Sequence, residues 1–495
     1  MKFLSQVSSF LDIEDDAVVI FCRKSDKPTG DEVEKLDVLT DGLIGDMYKT
    51  GEFDGSAGSE IMLRRVPETA AKKILLVGLG EAASNDLDAY REAAGRIGTM
   101  TRRHKITSVS FFYNGPDTNP VTSAIVEGVV LGSYQYLQYK TDQAKSKDRL
   151  ASVSVVVPQR GKLRQAEVGL ARGEIISSSV ATCRDLVGTP GNDLYPESFA
   201  AIAEKMAKEH KVKCHVMSPS EIKKQKMGAL QAVAKGSDRK PRFVVLEYNG
   251  KKNDKPIVLI GKGITFDAGG ISLKAGAGMD EMKGDMTGAA VVMMTLLTAA
   301  RLGAQVNLVA LMPLAENMPS GGATRPGDIV KSRAGHSIEI INTDAEGRLI
   351  LADALDFADT FNPQAVIDIA TLTGAALYVL GYAGAPFVGT NQKLNENLCA
   401  ASTRTGEKIW EMPLWPEFAD LMKSSVADIK NSAGKPAGTL AAASFLKKFV
   451  KDWPWAHIDI AYCDLEPKGK PYVPKGPAGF GVRLLVDLIS HWKKL

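Results

Sequence analysis

The chain has 495 residues, enough for two or three domains with sizeable cores. Lys and Arg total 61 against 58 Asp and Glu, so the net charge is +3 with 24% of residues charged, and nothing in that balance draws the chain strongly to nucleic acid or membrane. The five cysteines (22, 183, 214, 399, 463) are scattered and form no C-x-x-C, which fits reduced thiols in a cytoplasmic protein and argues against a cysteine-based zinc site.

The opening residues, Met1-Lys2-Phe3-Leu4-Ser5-Gln6, carry no apolar run of signal-peptide length. No stretch approaches the ~20 apolar residues of a membrane span, so a cytoplasmic protein with no membrane partner is expected. Apolar runs at 17–22, 73–77, 108–113 and 153–157 read as strands, with helical periodicity over 86–103 and 121–140 between them. Residues 1–157 therefore form an expected α/β domain of their own. It has no cluster of acids, histidines or glycines at a catalytic spacing, and assembly, regulation or shielding is its expected role. His104, beside Arg102, Arg103 and Lys105, reads as a basic helix end. The polar segment 141–149 reads as a surface loop. A helix over 165–186, closed by Gly188-Thr189-Pro190-Gly191, makes 158–191 a linker. Residues 192–495 form the second domain, with a helix near 197–208 and strands at 213–216, 243–248, 257–260, 306–312, 365–369 and 457–460. Such alternation predicts an α/β fold of two domains, each a mostly parallel or mixed sheet flanked by helices.

Two stretches of the second domain carry chemistry. In the first, the short strand ending at Ile260 is followed by Gly261-Lys262-Gly263, Asp267, Gly269-Gly270, Lys274 and Asp285, then a helical pattern over 286–300. Glycines at a strand's carboxyl end let backbone and ligand approach closely, and in α/β proteins that edge is where sites are built. A phosphate loop is a weak rival, opposed by the absence of G-x-x-x-x-G-K-[ST] and by a lysine that precedes the acids. The second stretch is Ile341-Asn342-Thr343-Asp344-Ala345-Glu346-Gly347-Arg348. Extended backbone would project Asp344, Glu346 and Arg348 from one face. Adjacent acids repel unless a cation lies between them. A lone D-x-E-x-R fits a solvated turn better than a metal site, and the upstream cluster is what favours a metal. Lys262, Asp267, Asp285, Asp344 and Glu346 exceed the needs of one ion and suit a dinuclear hydrolytic site. Zn, Mn, Co and Mg all remain open. Lys262 could ligate only as a neutral amine, and its simplest role is an ion pair with Asp267.

The other polar residues read structurally. His336 lies in a turn, His457 and Asp459 form a hydrogen-bonded pair on a core strand, and Asp353 and Asp368 cap or anchor.

The segment Asn342 to Leu349 resembles the signature octapeptide of the cytosolic leucyl aminopeptidases, the M17 metallopeptidase family. Gly261 to Asp267, Gly269-Gly270, Lys274, Met279 to Lys283, Asp285, Glu316-Asn317-Met318-Pro319, Arg325-Pro326-Gly327-Asp328 and Thr371-Leu372-Thr373-Gly374 match in the same order. The likeness is close in the C-terminal half and one of layout in the N-terminal half. It implies a two-metal exopeptidase that releases N-terminal residues, Leu preferred, from peptides with a free N-terminus. One ion, Mn²⁺ or Zn²⁺, would be held by Lys262, Asp267, Asp285 and Glu346, and a second by Asp267, Asp344 and Glu346, with activated water as nucleophile. Lys274 would polarise the scissile carbonyl, and Arg348 would hold a bicarbonate that relays a proton. Met282, Thr371, Leu372 and Gly374 would line the side-chain pocket or hold the substrate backbone. A homohexamer is implied as well. The sequence departs from the family at Ala268, where serine is usual, at Tyr462-Cys463-Asp464, and at Pro477-Ala478, so side-chain preference is where its own character lies. Two rivals are a DNA-binding regulator on the same hexameric scaffold, which no basic, aromatic-interleaved strip supports, and a non-catalytic assembly protein. Retention of Lys262, Asp267, Lys274, Asp285, Asp344, Glu346 and Arg348 together opposes the latter.

Overall fold

The computed structural model describes residues 1–81, 83, 86–142 and 150–495. Two compact units emerge: Met1–Ala181 with Lys468–Lys475, and Thr182–Pro467 with Gly476–Leu495. The helix Arg160–Gly188 contains the first boundary between them. The polar segment expected as a loop lies mostly outside the described residues.

The first unit holds β1 (Lys2–Val7), β2 (Ala17–Cys22), β3 (Glu60–Arg64), β4 (Lys73–Gly78), β5 (Ser108–Phe112) and β6 (Ser152–Val157). They pair in the order β1-β6-β5-β2-β4-β3, parallel except for β3 at one edge. Alternate residues of β2 and β4 enter different cores: Val19, Leu75 and Val77 one, Val18, Ile20 and Leu76 the other. Both faces are thus covered, which is why these strands read as continuous apolar runs. The helices Leu87–Arg103 and Thr118–Ser133 cross closely because glycines line their contact. The second helix stops well short of 140. Tyr134 leaves the helical conformation at ψ 140, and although Tyr136 and Leu137 keep the apolar period, residues 135–140 are half-buried or exposed and outside the core.

The second unit contains β7 (Lys213–Met217), β8 (Arg242–Asn249), β9 (Ile257–Gly261), β10 (Gly263–Asp267), β11 (Asn307–Asn317), β12 (Ile329–Lys331) and β13 (Ser337–Glu339). After these come β14 (Ala365–Ala370), β15 (Ala385–Gly389), β16 (Ile409–Glu411), β17 (Ile429–Lys430) and β18 (Trp455–Asp459). The main sheet runs β16-β15-β18-β14-β9-β11-β8-β7, with β10 added on β11. Its centre, β18-β14-β9-β11, is parallel. The helix Thr287–Arg301 packs on β9, β11 and β14. The wholly buried helix Gly347–Ala358 packs in a core with Val258, Ile260, Val309, Leu311 and Val366. Strands β12, β13 and β17 make a small separate sheet. Among the described residues no helix is long and apolar enough to cross a membrane.

The helix crossing of the first unit can be tested by adding one methyl group. A Cβ on Gly128 would lie 2.3 Å from the Arg91 carbonyl oxygen, whereas one on Gly161 meets nothing within 4 Å. Gly128→Ala is expected to cost about 1–3 kcal/mol by overpacking, read as a lower urea midpoint, while Gly161→Ala leaves the midpoint unchanged or slightly raised.

Candidate metal centre

The site stands at the carboxyl ends of the sheet's strands. Lys262 follows β9, β10 ends on Asp267, β11 ends on Asn317, β14 leads into Thr371 and β18 ends on Asp459. This is the edge where open α/β sheets place their sites.

The buried Lys262 ammonium lies 2.7 Å from Asp285 Oδ1 and 2.8 Å from Glu346 Oε1, and donates to the Thr371 carbonyl at 2.8 Å. The ion pair expected with Asp267 is therefore not the one formed. Asp267 spends its oxygens on the Gly269 N–H (2.9 Å), Asn317 Nδ2 (2.8 Å) and Lys274 Nζ (2.8 Å). Burial lowers the Lys262 pKa, but Asp285 and Glu346 outweigh burial and raise it, so the amine is charged. Gly347 makes this approach possible, since a Cβ there would sit 2.5 Å from Lys262 Cε.

Lys274 differs in exposure. Its Nζ spans Asp267 Oδ2 (2.8 Å) and Asp344 Oδ1 (2.5 Å), and its side chain is 24% exposed against 4% for Lys262. One lysine is sealed in, and the other is partly open to solvent.

The signature segment is not extended. The Ala345 N–H returns to the Asn342 carbonyl at 3.2 Å, and Glu346, at φ −84 and ψ −35, is already helical as N-cap of Gly347–Ala358. Asp344 and Glu346 converge because the chain turns, not because of a two-residue period. Asn431 holds the turn: its Oδ1 accepts from Ile341 and Asn342 N–H, and its Nδ2 donates to the Asn342 and Ala345 carbonyls. Arg348 Nη1 donates to the Asn431 carbonyl at 2.8 Å, while its buried Nε has no hydrogen-bond partner. Burial pushes the Arg348 pKa down to about 10.

Asp267, Asp344 and Glu346 offer oxygens within 4.8 Å of one another. Each such pair of charges repels by about 3–4 kcal/mol at an effective dielectric of 20. Burial, then neighbouring carboxylates, hold Asp267 and Asp344 above the usual carboxylate range. Asp285 is raised furthest, chiefly by burial, and its buried Oδ2 has no hydrogen-bond partner. Two ammonium groups among four carboxylates leave negative charge uncompensated. The donors are hard oxygens, and the Lys274 ammonium already stands where a cation between Asp267 and Asp344 would stand. The residues fit divalent metal.

The residues expected around the substrate are distributed as follows. Thr371 joins the cluster, with Oγ1 2.7 Å from Asp285 Oδ1. The Leu372 N–H is held by Asp459 Oδ1 at 3.0 Å. Gly374 is exposed just beyond, and Met282, half-buried, lies on the short helical turn Met279–Gly284 that leads into Asp285. The expected His457–Asp459 pair is corrected: His457 Nδ1 bonds Asp368, which also accepts from Trp455 Nε1 at 2.7 Å. Asp459 instead fixes the 371–373 loop through Leu372, Thr373 and the Thr373 hydroxyl. Asp353 anchors the Leu230 and Arg333 N–H groups, as an anchoring role requires. His336 is half-buried with its ring edge-on to Phe449. Sequence reasoning missed Asn317, Asn431 and Asp459 as supports. Asn317 lay in a recognised motif with no role attached; Asn431 has no local signal at all.

A largely buried oxygen-donor centre with one lysine partly open to solvent suits metal-assisted hydrolysis, and comparison with known proteins narrows that class. Residues 181–486 match the cytosol aminopeptidase family, catalytic domain, and residues 18–143 match its N-terminal domain. The chain belongs to this family, M17, and is a metal-dependent exopeptidase. It is 42% identical over 465 residues to a probable cytosol aminopeptidase of Syntrophotalea carbinolica, covering 93% of this chain and 94% of that one. A probable cytosol aminopeptidase of Geobacter sulfurreducens is 42% identical over 478 residues, 96% of both chains. Among solved structures, the bottromycin maturation enzyme BotP in complex with Mn superposes with a TM-score of 0.83 at 32% identity, covering 96% of this chain and 99% of that one.

Metal should therefore stabilise the fold. Mn²⁺ at a hundredfold excess over its Kd is expected to add about 2.7 kcal/mol, read as a raised melting temperature. Asp344→Asn, at a half-buried position, should remove most of that shift without changing the metal-free melting curve. A wild-type melting curve indifferent to Mn²⁺ and Zn²⁺ contradicts the centre.

Proposed function

We propose that the chain is a leucyl aminopeptidase with two divalent ions, Mn²⁺ or Zn²⁺, that removes N-terminal residues from unblocked peptides. The observation that carries this reading is the buried excess of carboxylate beside a half-buried lysine. Lys262, Asp267, Asp285 and Glu346 would hold one ion, and Asp267, Asp344 and Glu346 the other. Loading would release the Lys262 proton, as ligation by an amine requires. When bound, the ions supply Lewis acidity and lower the pKa of water toward neutrality.

The chain's own groups do the rest. Asp285 has a buried oxygen without a partner, which suits a free α-amine and accounts for a demand for an unblocked N-terminus. Lys274 brings positive charge to the scissile carbonyl, where it counts most as the tetrahedral oxyanion forms. The loop 371–374, held by Asp459, would position the substrate backbone, with Met282, Thr371, Leu372 and Gly374 bordering an apolar first side chain. Arg348, with its unpartnered Nε, suits a small anion such as bicarbonate, whose chemistry would be proton relay. No group of the cluster lies in 1–157, which supports an assembly or regulatory role for that domain, in a cytoplasmic homohexamer.

The test is hydrolysis of leucine p-nitroanilide and of its N-acetyl form, by metal-stripped protein and by protein reloaded with Mn²⁺ or Zn²⁺. Activity is expected only with metal and only on the free amine. Glu346→Ala should abolish it. Lys274→Ala should lower kcat by about 10²–10³, as loss of an oxyanion-stabilising group does, with KM changed far less. A folded protein inactive with every metal would sink this reading in favour of DNA binding on the same scaffold.

A further inference from the structure

Tyr462 is a bulky residue held at φ +68. Side chains of this kind rarely take the left-handed region, and where they do the surrounding structure imposes it, often at functional sites. Here the surroundings are explicit. Asp459, the last residue of β18, accepts the Ala461 N–H at 3.3 Å, and the Cys463 and Asp464 N–H groups return to the Ile460 carbonyl at 2.9 and 3.1 Å. The tight turn throws the Tyr462 side chain toward the loop that Asp459 also holds. A methyl group placed on Gly374 would meet the Tyr462 hydroxyl oxygen at 3.8 Å. The Tyr382 ring packs edge-on against the Tyr462 ring, at 5.9 Å between centres and 85° between planes. Burial, then the Tyr382 and Tyr378 phenols, push the Tyr462 pKa up while Lys274 pulls it down. The Tyr462 hydroxyl therefore faces Gly374, with the ring braced behind it by Tyr382.

We propose that Tyr462 sets the size limit for the first side chain: its phenol, braced by Tyr382, closes the recess over Gly374 so that a Leu-sized apolar group enters and an aromatic one does not. This rests on reading the 371–374 loop as the border of that recess. The strained backbone is what the wall requires. The turn that suits Asp459 and Ile460 leaves residue 462 left-handed, and only a residue other than glycine can then supply a ring. Discrimination by one wall of an apolar pocket has a natural scale of about 10–200-fold.

The experiment compares kcat/KM for leucine and phenylalanine p-nitroanilides on the full chain loaded with Mn²⁺. Wild type is expected to favour Leu at least tenfold. Tyr462→Gly should raise the Phe-to-Leu ratio at least tenfold with a melting temperature equal to or above wild type, because glycine takes this φ without strain. Tyr462→Phe, which removes only the hydroxyl that faces Gly374 and keeps the ring, should raise the ratio far less than Tyr462→Gly does. An active wild type whose ratio is unchanged in Tyr462→Gly overturns the proposal alone. So does a wild-type preference for Phe that Tyr462→Gly loses, which would make the ring a stacking partner. A wild type inactive on both amides overturns the aminopeptidase reading, and the proposal with it.

Discussion

Buried negative charge governs the second unit. Asp267, Asp285 and Glu346 are almost wholly withdrawn from water, with Asp344 at the margin. Taking a carboxylate out of water costs several kcal/mol unless it is paired and hydrogen-bonded. Lys262 and Lys274 supply part of the compensation from opposite sides, and the remainder is a standing demand for cations. The neighbouring architecture makes sense against that demand. Gly347 is small so that Lys262 can reach Glu346, and Asn317 donates to Asp267 and the Thr343 carbonyl, tying the end of β11 to the signature turn.

The two lysines show how position divides one residue type into two roles. Lys262 donates to a backbone carbonyl as well as two acids and has almost no contact with solvent. Lys274 touches two acids from the open side. The proposed action of Lys274 on a transition state needs that access, whereas a charge that only holds acids together does not. Behind both, Asn431 and Asp459 fix loops through backbone N–H and carbonyl groups, so the reacting groups rest on a hydrogen-bonded frame.

Much of the fold was legible because the central strands are covered on both faces. β2, β4, β9 and β14 are largely runs of buried apolar residues, interrupted in β14 by Asp368. The strands that escaped notice have physical reasons for doing so. β1 is half exposed at a sheet edge, which dilutes its apolar pattern. β15 contains Pro386, which demotes a run that tertiary pairing accepts all the same. The helix read to 140 overshot because Tyr136 and Leu137 continue an apolar period past the point where packing ends.

By itself the sequence determined which residues could bind metal, because hard oxygen donors and a lysine after a strand end are chemical identities that no fold alters. It also determined the family, since several motifs recur in order. Tertiary structure alone decided which acid each lysine meets, that Asp344 and Glu346 converge through a turn, and that Asp459 serves the 371–373 loop and not His457. The farthest of those pairings joins residues 87 positions apart in the chain. Periodicity describes neighbours within one element, whereas a contact across strand ends depends on how the whole sheet brings its carboxyl edges together.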